Sequence, residues 1–236
     1  MKHILIRGIA AASLAFAGAA GAFAAPPAAA PAASRDWTQT VVATPEGGIR
    51  MGNPAAATKI VEYVSLTCPH CRQFAETGAP VLVRDHVASG RLSFEIRPFP
   101  LDPVAAVGAQ ITRCAAPAHG IALSDDILRA QTEYFARLHA VTPEQAAQIQ
   151  ALAPAAFRQR VASLAGFDAI AARHRIGAAA LATCLSDEAG AARVSEIKAA
   201  AEALGVSGTP TFLVDGAVVE DVHDWAGLQA LLAARR

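Results

Sequence analysis

Two cysteines separated by two residues, Cys68 and Cys71, are the side chains best placed for chemistry. They follow the β-branched and aromatic run Lys59–Ser65, which predicts a buried strand. Cys68 would then lie where a helix begins, and free backbone N–H groups and the helix dipole stabilise a thiolate there. Pro69 suits the first helical position, and His70 can stabilise the thiolate further. The motif therefore predicts a dithiol that forms and breaks a disulfide reversibly.

Two other interpretations of the cysteine pair remain open. A zinc site needs a second Cys-x-x-Cys or a pair of histidines, and the histidines of this chain are scattered. A purely structural disulfide is the other alternative, although a strand–helix junction is a poor place for one. We therefore expect no metal, and redox chemistry at Cys68 and Cys71.

Composition limits the classes of function. The chain has 236 residues with 20 basic and 20 acidic side chains, so its formal net charge is zero. Hydrophobic residues make up 53% and charged residues 17%, which excludes a disordered chain. Nucleic acid and anionic lipid both require a basic face, so neither is expected as a partner. The length suits one large domain, or a domain with a large insertion.

The N-terminus has the pattern of a secretory signal. Lys2, His3 and Arg7 precede an apolar run, and the small residues of Ala22–Ala24 offer a cleavage site. We predict a signal peptide at 1–24 and a flexible Ala- and Pro-rich leader at 25–35. An uncleaved membrane anchor is the alternative. All four cysteines follow the signal, and an exported protein can hold disulfides.

The remaining elements form two βα units separated by helices. The patterns predict strands at Trp37–Thr44 and Leu92–Phe99, and between them a helix that ends at Gly90. Residues 102–204 predict four to six helices, with starts at Ser124 and Thr142. Further on, the patterns predict an Asp-Gly hairpin over Thr211–Glu220 and a helix over Asp224–Arg236. This order predicts a small mixed sheet with a helical insertion.

A second motif, Gly208-Thr209-Pro210, comes directly before the hairpin. A proline that enters a strand is awkward unless it is at an edge or in the cis form. The alternative is an ordinary loop proline, and the local sequence does not decide between them.

Together, Cys68-Pro69-His70-Cys71, Gly208-Thr209-Pro210 and the intervening helical block resemble the DsbA-like branch of the thioredoxin superfamily, over residues 36–236. The resemblance implies an α/β thioredoxin fold, in which helices flank a central mixed sheet. It places the thioredoxin-like domain at 36–101 and 205–236. The helical insertion would occupy 102–204.

The resemblance also implies roles for individual residues. Cys68 matches the exposed attacking cysteine and Cys71 its buried partner. Pro210 matches a cis-proline packed against the disulfide, where the Thr209 backbone can pair with a bound substrate chain. Glu62 matches an acidic strand residue that assists proton transfer at the buried cysteine. An exposed residue of an edge strand is the alternative, but the apolar neighbours of Glu62 favour partial burial.

Thr209 departs from the best-known DsbA oxidases, which carry valine before the cis-proline. Threonine is similar to disulfide isomerases, so an isomerase or reductase remains an alternative to the oxidase indicated by Cys-Pro-His-Cys. About 12 residues separate Ala25 from Trp37, too few for the dimerisation domain of such isomerases. We therefore expect a monomeric oxidase. A non-catalytic chaperone of unfolded exported chains is the alternative from another class.

The same resemblance implies a location and partners. We expect the periplasm, with reduced or misfolded exported polypeptides as substrates. A DsbB-like membrane quinone reductase would reoxidise the protein. No cofactor is expected beyond the disulfide of Cys68 and Cys71.

Cys114 and Cys184 lie 70 positions apart within the predicted helical block. In an oxidising compartment they could form a structural disulfide. The alternative is two buried free thiols that pack as small apolar residues. Neither is expected to be catalytic, because no partner lies nearby in sequence.

Overall fold

The computed structural model describes residues 35–235, which belong to one compact unit. The predicted signal peptide at 1–24 therefore lies outside the described residues, as does the leader at 25–35 apart from Arg35. Within the described part of the chain, no helix has the length and apolar character needed to cross a membrane.

A mixed sheet of six strands runs through the described residues in the order β1-β2-β4-β3-β5-β6. Strands β3 and β4 are parallel, and the other neighbours are antiparallel. β3 therefore lies inside the sheet, between β4 and β5. In chain order the strands β1 to β6 are Val41–Ala43, Ile49–Gly52, Thr58–Val64, Leu92–Pro98, Thr211–Val214 and Ala217–Val218.

Eleven α-helices accompany these strands between residues 35 and 235. In chain order α1 to α11 are Pro69–Thr77, Ala79–Leu82, Pro103–Cys114, Pro117–Arg129, Gln131–His139, Pro143–Gln150, Pro154–Ala165, Phe167–Arg173, Ala178–Ser186, Glu188–Ala203 and Trp225–Ala234. Helices α3 to α10 all lie between β4 and β5 in the chain. The predicted fold class, a mixed sheet with a large helical insertion, is confirmed. The domain boundaries at 101/102 and 204/205 stay a prediction.

Four predicted elements differ from the structure. The predicted helix that ends at Gly90 is divided into α1, α2 and a π-helical turn over Val83–Val87. Only Val41–Ala43 of the predicted strand Trp37–Thr44 is a strand, because the Asp36 carboxylate accepts the Thr38 N–H and caps a 3₁₀ turn over Trp37–Gln39. Ser124 does not start a helix; it lies buried inside α4, which begins at Pro117. The insertion holds eight helices rather than four to six.

Two local signals match the structure closely. Thr142 caps α6, and its side chain and that of Gln145 bond reciprocally to each other's backbone N–H. Asp215 and Gly216 join β5 to β6 with φ angles of 53° and 89°. Positive φ at both turn residues is what a two-residue hairpin requires, and Asp-Gly supplies it.

The two faces of β3 contact different cores. Ile60 and Val64 face the larger core, where Phe74 of α1 packs against Phe212 of β5 with ring centroids 4.8 Å apart. Alternation along the strand places Glu62 on that same face. Burial of a phenylalanine side chain contributes about 1.5–3 kcal/mol, so Phe74 fixes α1 against the sheet. The first turn of α1 is held there at the end of β3.

Candidate active site

Cys68 occupies the junction predicted from the sequence, between β3 and α1. Its backbone is extended, with φ −81° and ψ 122°, and it is the N-cap residue of α1. Pro69 takes the first helical position, where no N–H is needed. The backbone N–H of Cys68 donates to the Ser65 carbonyl over 3.1 Å. The free N–H groups of the first helical turn therefore lie next to the Cys68 sulfur.

Both thiols of the pair are free and buried. Cys71 is completely buried, and Cys68 is 5% exposed. The prediction that Cys68 is exposed is therefore wrong, although Cys68 is more accessible than Cys71. The loop before β5 covers it, since the Cys68 sulfur lies 3.1 Å from the Thr209 carbonyl oxygen, to which it donates when it is protonated.

The two thiols have opposite proton affinities. A hydrogen bond from the Cys71 thiol lowers the pKa of Cys68 to about 5, and the backbone N–H groups of Cys71 and His70 act in the same direction against burial. Burial raises the pKa of Cys71 well above the ordinary thiol value. Cys68 is therefore the thiolate of the pair, and Cys71 keeps its proton.

His70 contributes through its main chain. Its side chain is exposed, and its ring makes no hydrogen bond within residues 35–235. The backbone N–H is the group that stabilises the Cys68 thiolate. The predicted role of the imidazole itself stays a prediction.

The Thr209–Pro210 peptide bond is cis. Pro210 is buried, and the Thr209 carbonyl points at the Cys68 sulfur. His223, which the sequence analysis did not single out, donates from Nδ1 to the Pro210 carbonyl over 3.1 Å. The structure thus brings together the Cys-Pro-His-Cys motif and the Gly-Thr-Pro motif.

Glu62 is a buried carboxyl group in an inner strand, 4% exposed, so the interpretation as an exposed edge residue is wrong. Its Oε1 atom has no hydrogen-bond partner in the described part of the chain. Burial raises its pKa well above the usual value, and the charges of Asp125 and Cys68 add to this. Glu62 is therefore a protonated group in the electrostatic reach of the cysteine pair.

Asp125 of α4 is a second carboxyl group near Glu62 that sequence reasoning missed. Burial raises the pKa of Asp125 to about 7, against the opposing charge of Arg129. Its side chain is 26% exposed and lies 3.8 Å from Arg129. In sequence, Asp125 and Asp126 are a run of two aspartates, which predicted a helix start rather than a half-buried acid.

Helix α5 of the insertion contacts the loop that leads to Cys68. The Gln131 amide donates to the carbonyl of Leu66 over 3.0 Å and to that of Cys68 over 2.9 Å. Tyr134 donates its hydroxyl to the same Leu66 carbonyl over 2.6 Å. Nothing in the sequence around Gln131 or Tyr134 indicated these contacts. The insertion therefore helps to build the site.

Cys114 and Cys184 form a disulfide in the structure, which ties the end of α3 to α9. Gln110 of α3 reinforces this junction, donating to the carbonyls of Cys184 over 2.7 Å and Asp187 over 2.9 Å. The bond lies within the insertion. No cluster of three or more potential metal ligands occurs among residues 35–235.

Comparisons with known proteins agree with this geometry. The thioredoxin family matches residues 44–234. A protein-disulfide isomerase from Novosphingobium aromaticivorans is 33% identical over 79% of this chain and 95% of its own, with a TM-score of 0.73. No protein of curated function matches the chain significantly.

Two further solved structures share the fold at lower identity. Wolbachia pipientis alpha-DsbA1 is 18% identical over 78% of this chain and 88% of its own, with a TM-score of 0.61. Chlamydia trachomatis DsbA is 17% identical over 79% of this chain and 90% of its own, with a TM-score of 0.55. The family match, the sheet and the cysteine pair lead to one assignment: the chain belongs to the thioredoxin superfamily and is a DsbA-like thiol:disulfide oxidoreductase.

Proposed function

We propose that this protein is a periplasmic oxidase that donates disulfides to exported polypeptides through Cys68 and Cys71. The observation that carries the proposal is the low pKa of Cys68, about 5, beside a Cys71 that keeps its proton. A stabilised thiolate favours the dithiol over the disulfide, and such a disulfide is a strong oxidant.

The reaction requires two exchanges. A substrate thiolate attacks the Cys68 sulfur of the Cys68–Cys71 disulfide, forming a mixed disulfide and expelling Cys71 as a thiolate that takes up a proton. A second substrate thiolate then attacks the substrate sulfur of that mixed disulfide and expels Cys68. Two electrons pass from the substrate thiols to the cysteine pair, and the substrate is left with a disulfide. The low pKa of Cys68 speeds the second exchange because leaving groups of low pKa depart faster.

Glu62 is proposed as the proton reservoir for Cys71. Its carboxyl group is buried and protonated, and a charge on Glu62 acts with burial to raise the pKa of Cys71. Transfer of its proton to the departing Cys71 thiolate moves the negative charge from the sulfur to the carboxylate. A proton from solvent then restores the neutral carboxyl group, so that no uncompensated charge stays buried, which would be costly in an apolar environment.

The Thr209–Pro210 segment is proposed to hold the substrate chain. The Thr209 carbonyl already points to the Cys68 sulfur, so a backbone paired with Thr209 would run past the reacting atom.

Leu101 is 51% exposed, and its N–H donates to Ser65 Oγ over 3.4 Å, near the loop that leads to Cys68. Its exposed side chain suits contact with apolar residues of an unfolded chain.

The partners follow from this chemistry. Reduced or misfolded exported polypeptides would be the substrates, and the protein would act as a monomer. A DsbB-like membrane quinone reductase would return the reduced pair to the disulfide. Export by the signal at 1–24 would bring the protein to the periplasm.

An isomerase or reductase is the second candidate. Thr209 favours it, as does the 33% identity to a protein named as a disulfide isomerase. The cysteine pair of an isomerase must be kept reduced, so its redox potential differs from that of an oxidase.

The redox equilibrium of residues 25–236 with glutathione tests the proposal. A potential of about −120 mV is expected for an oxidase, whereas about −180 to −270 mV would favour an isomerase or reductase. Absence of a redox-active disulfide would overturn both. The Cys68→Ser variant separates both from a chaperone, which would keep its activity without the thiol.

A further inference from the structure

The first turn of α5 holds the main chain at Cys68. The Gln131 side chain is 2% exposed, and its amide donates to the Cys68 carbonyl over 2.9 Å. That carbonyl also accepts the Arg72 N–H over 3.2 Å, which is the first hydrogen bond of α1. Two donors from different parts of the chain therefore fix the orientation of the Cys68 peptide group.

The orientation of this peptide group matters for the sulfur. The N–H groups of His70 and Cys71 that stabilise the thiolate belong to the turn whose first carbonyl is that of Cys68. A hydrogen bond weakens steeply when its angle or distance departs from the preferred geometry. A loose Cys68 carbonyl would let this turn fray and move both N–H groups away from the sulfur.

We propose that Gln131 is a positioning residue of the redox pair: its amide, bonded to the carbonyls of Leu66 and Cys68, holds the turn whose N–H groups face the Cys68 sulfur. The inference rests on the proposed function and adds a specific role for the helical insertion. The hydrogen bonds of the Gln131 amide go to main-chain carbonyls, so it acts on the sulfur through the backbone.

The competing interpretation is that Gln131 only stabilises the fold, and the chain contains a matched control. Gln110 is also 2% exposed, and its amide also donates to two carbonyls, those of Cys184 and Asp187. Gln110→Leu and Gln131→Leu thus each remove one buried amide together with its two hydrogen bonds to main-chain carbonyls. A general loss of stability should be similar in both variants.

Tyr134 supplies a second comparison on the same loop. Its hydroxyl bonds to the Leu66 carbonyl but not to that of Cys68. Tyr134→Phe therefore loosens the loop and leaves the bond from Gln131 to Cys68 in place. If the Cys68 carbonyl is the controlling contact, Tyr134→Phe has a smaller effect than Gln131→Leu.

The experiment compares the wild type with these three variants in residues 25–236. Thiolate absorbance against pH gives the titration midpoint of Cys68, glutathione exchange gives the redox equilibrium, and urea unfolding gives the stability. For Gln131→Leu we expect a higher midpoint and an equilibrium about tenfold more favourable to the disulfide, which corresponds to about 30 mV toward a more reducing potential. For Gln110→Leu we expect lower stability and no change in either redox quantity.

Unchanged midpoint and equilibrium in a folded Gln131→Leu would overturn the inference, as would equal shifts in Gln110→Leu or Tyr134→Phe. Gln131→Met, with an unbranched side chain, is measured in the same way in case the leucine variant does not fold. The thiolate titration needs only the reduced protein, so it tests Gln131 even if glutathione exchange shows no redox-active disulfide. That last result would overturn the proposed function instead.

Discussion

The sulfur of Cys68 lies 3.1 Å from the carbonyl oxygen of Thr209, although 141 positions separate the two residues in the chain. The contact joins the N-terminus of α1 to the loop before β5, and the whole helical insertion lies between them in sequence. Thr209 therefore reaches the cysteine pair only when both halves of the sheet are assembled.

The rate at which Cys68 is alkylated should follow the ionisation of its thiol, which occurs at low pH. Because the pKa of Cys68 is about 5, its alkylation rate should be half-maximal near that pH and level above about pH 7. Cys71→Ala should move the midpoint upward, since the Cys71 thiol is the largest cause of the low value. Alkylation by iodoacetamide, followed by mass spectrometry, measures both. A midpoint near the ordinary value of 9.0 in the wild type would contradict the electrostatics described here.

The two cysteines should differ as trapping variants. Cys71→Ser leaves the Cys68 thiolate free to attack a disulfide-bonded peptide, and no second thiol remains to displace the product. A stable mixed disulfide should accumulate, detected by non-reducing mass spectrometry. Cys68→Ser should form none, because the remaining Cys71 is completely buried. Equal adducts in the two variants would argue against the assignment of Cys68 as the attacking residue.

Glu62 should make stability depend on pH. The folded protein keeps the Glu62 proton, whereas the unfolded chain loses it near the ordinary value of 4.5. The stabilisation from Glu62 is therefore complete below about pH 4.5 and is lost as pH rises toward the folded-state pKa. Glu62→Gln cannot ionise, so its stability relative to wild type should increase with pH above that point.

Urea unfolding from pH 4 to 9 measures this difference, and Glu95→Gln is the control. Glu95 is also buried, on neighbouring β4, but it accepts hydrogen bonds from Arg97 over 2.6 Å and Thr44 over 2.7 Å. Its substitution should destabilise the protein, because a partly buried Arg97 loses the carboxylate that lies 2.6 Å away. A pH-independent difference between Glu62→Gln and wild type would count against a protonated Glu62.

Loss of the Cys114–Cys184 disulfide should lower stability without altering the redox pair. The bond closes a loop of 70 residues, and closure of such a loop stabilises by about 4 kcal/mol in the chain-entropy model. The double variant Cys114→Ala/Cys184→Ala should lose a large part of this in urea unfolding. Its glutathione equilibrium at Cys68 should match the wild type, and a clear change there would show that this disulfide is coupled to the active site.

Leu101 should affect binding of unfolded chains alone. Leu101→Ser should raise the KM for a reduced, unfolded protein several-fold, because an apolar contact of about 1–2 kcal/mol is lost. The redox equilibrium of the Leu101→Ser variant with glutathione should not change, because glutathione is too small to need that contact. Leu152, 40% exposed on the connection between α6 and α7, provides the control variant Leu152→Ser. An equal rise in KM for both variants would contradict a specific role for Leu101.

Local signals predicted the elements that carry the cysteine pair. Cys68, Pro69 and Thr142 act within one helical turn, so their neighbours in sequence are enough to define them. The helix start at Ser124 was wrong because a buried serine and an N-cap serine look alike in sequence, and only packing separates them. Helices in the insertion were undercounted because two of its boundaries, Ala130 between α4 and α5 and Asp187 between α9 and α10, carry no glycine or proline.

Tertiary contacts supplied the rest of the site. Gln131 and Asp125 are ordinary helical residues by sequence, and their importance comes from a loop and a strand more than 55 positions away. The accessibility of Cys68 was overestimated for the same reason, since the Thr209 carbonyl that covers it comes from the other half of the chain. The spacing of Cys68 and Cys71 predicted thiol–disulfide chemistry, whereas the contacts around the pair depend on the assembly of distant segments.

The order of the cysteines along the chain has a consequence for biosynthesis. Cys114 and Cys184 are bonded to each other, and no other cysteine lies between them. A chain that emerges from its N-terminus presents Cys68 and Cys71 first, then Cys114, then Cys184. Pairing of each newly emerged cysteine with the nearest preceding unpaired cysteine would place Cys71 with Cys68 and Cys184 with Cys114. Vectorial oxidation of the nascent chain thus reaches the native bond without any reshuffling.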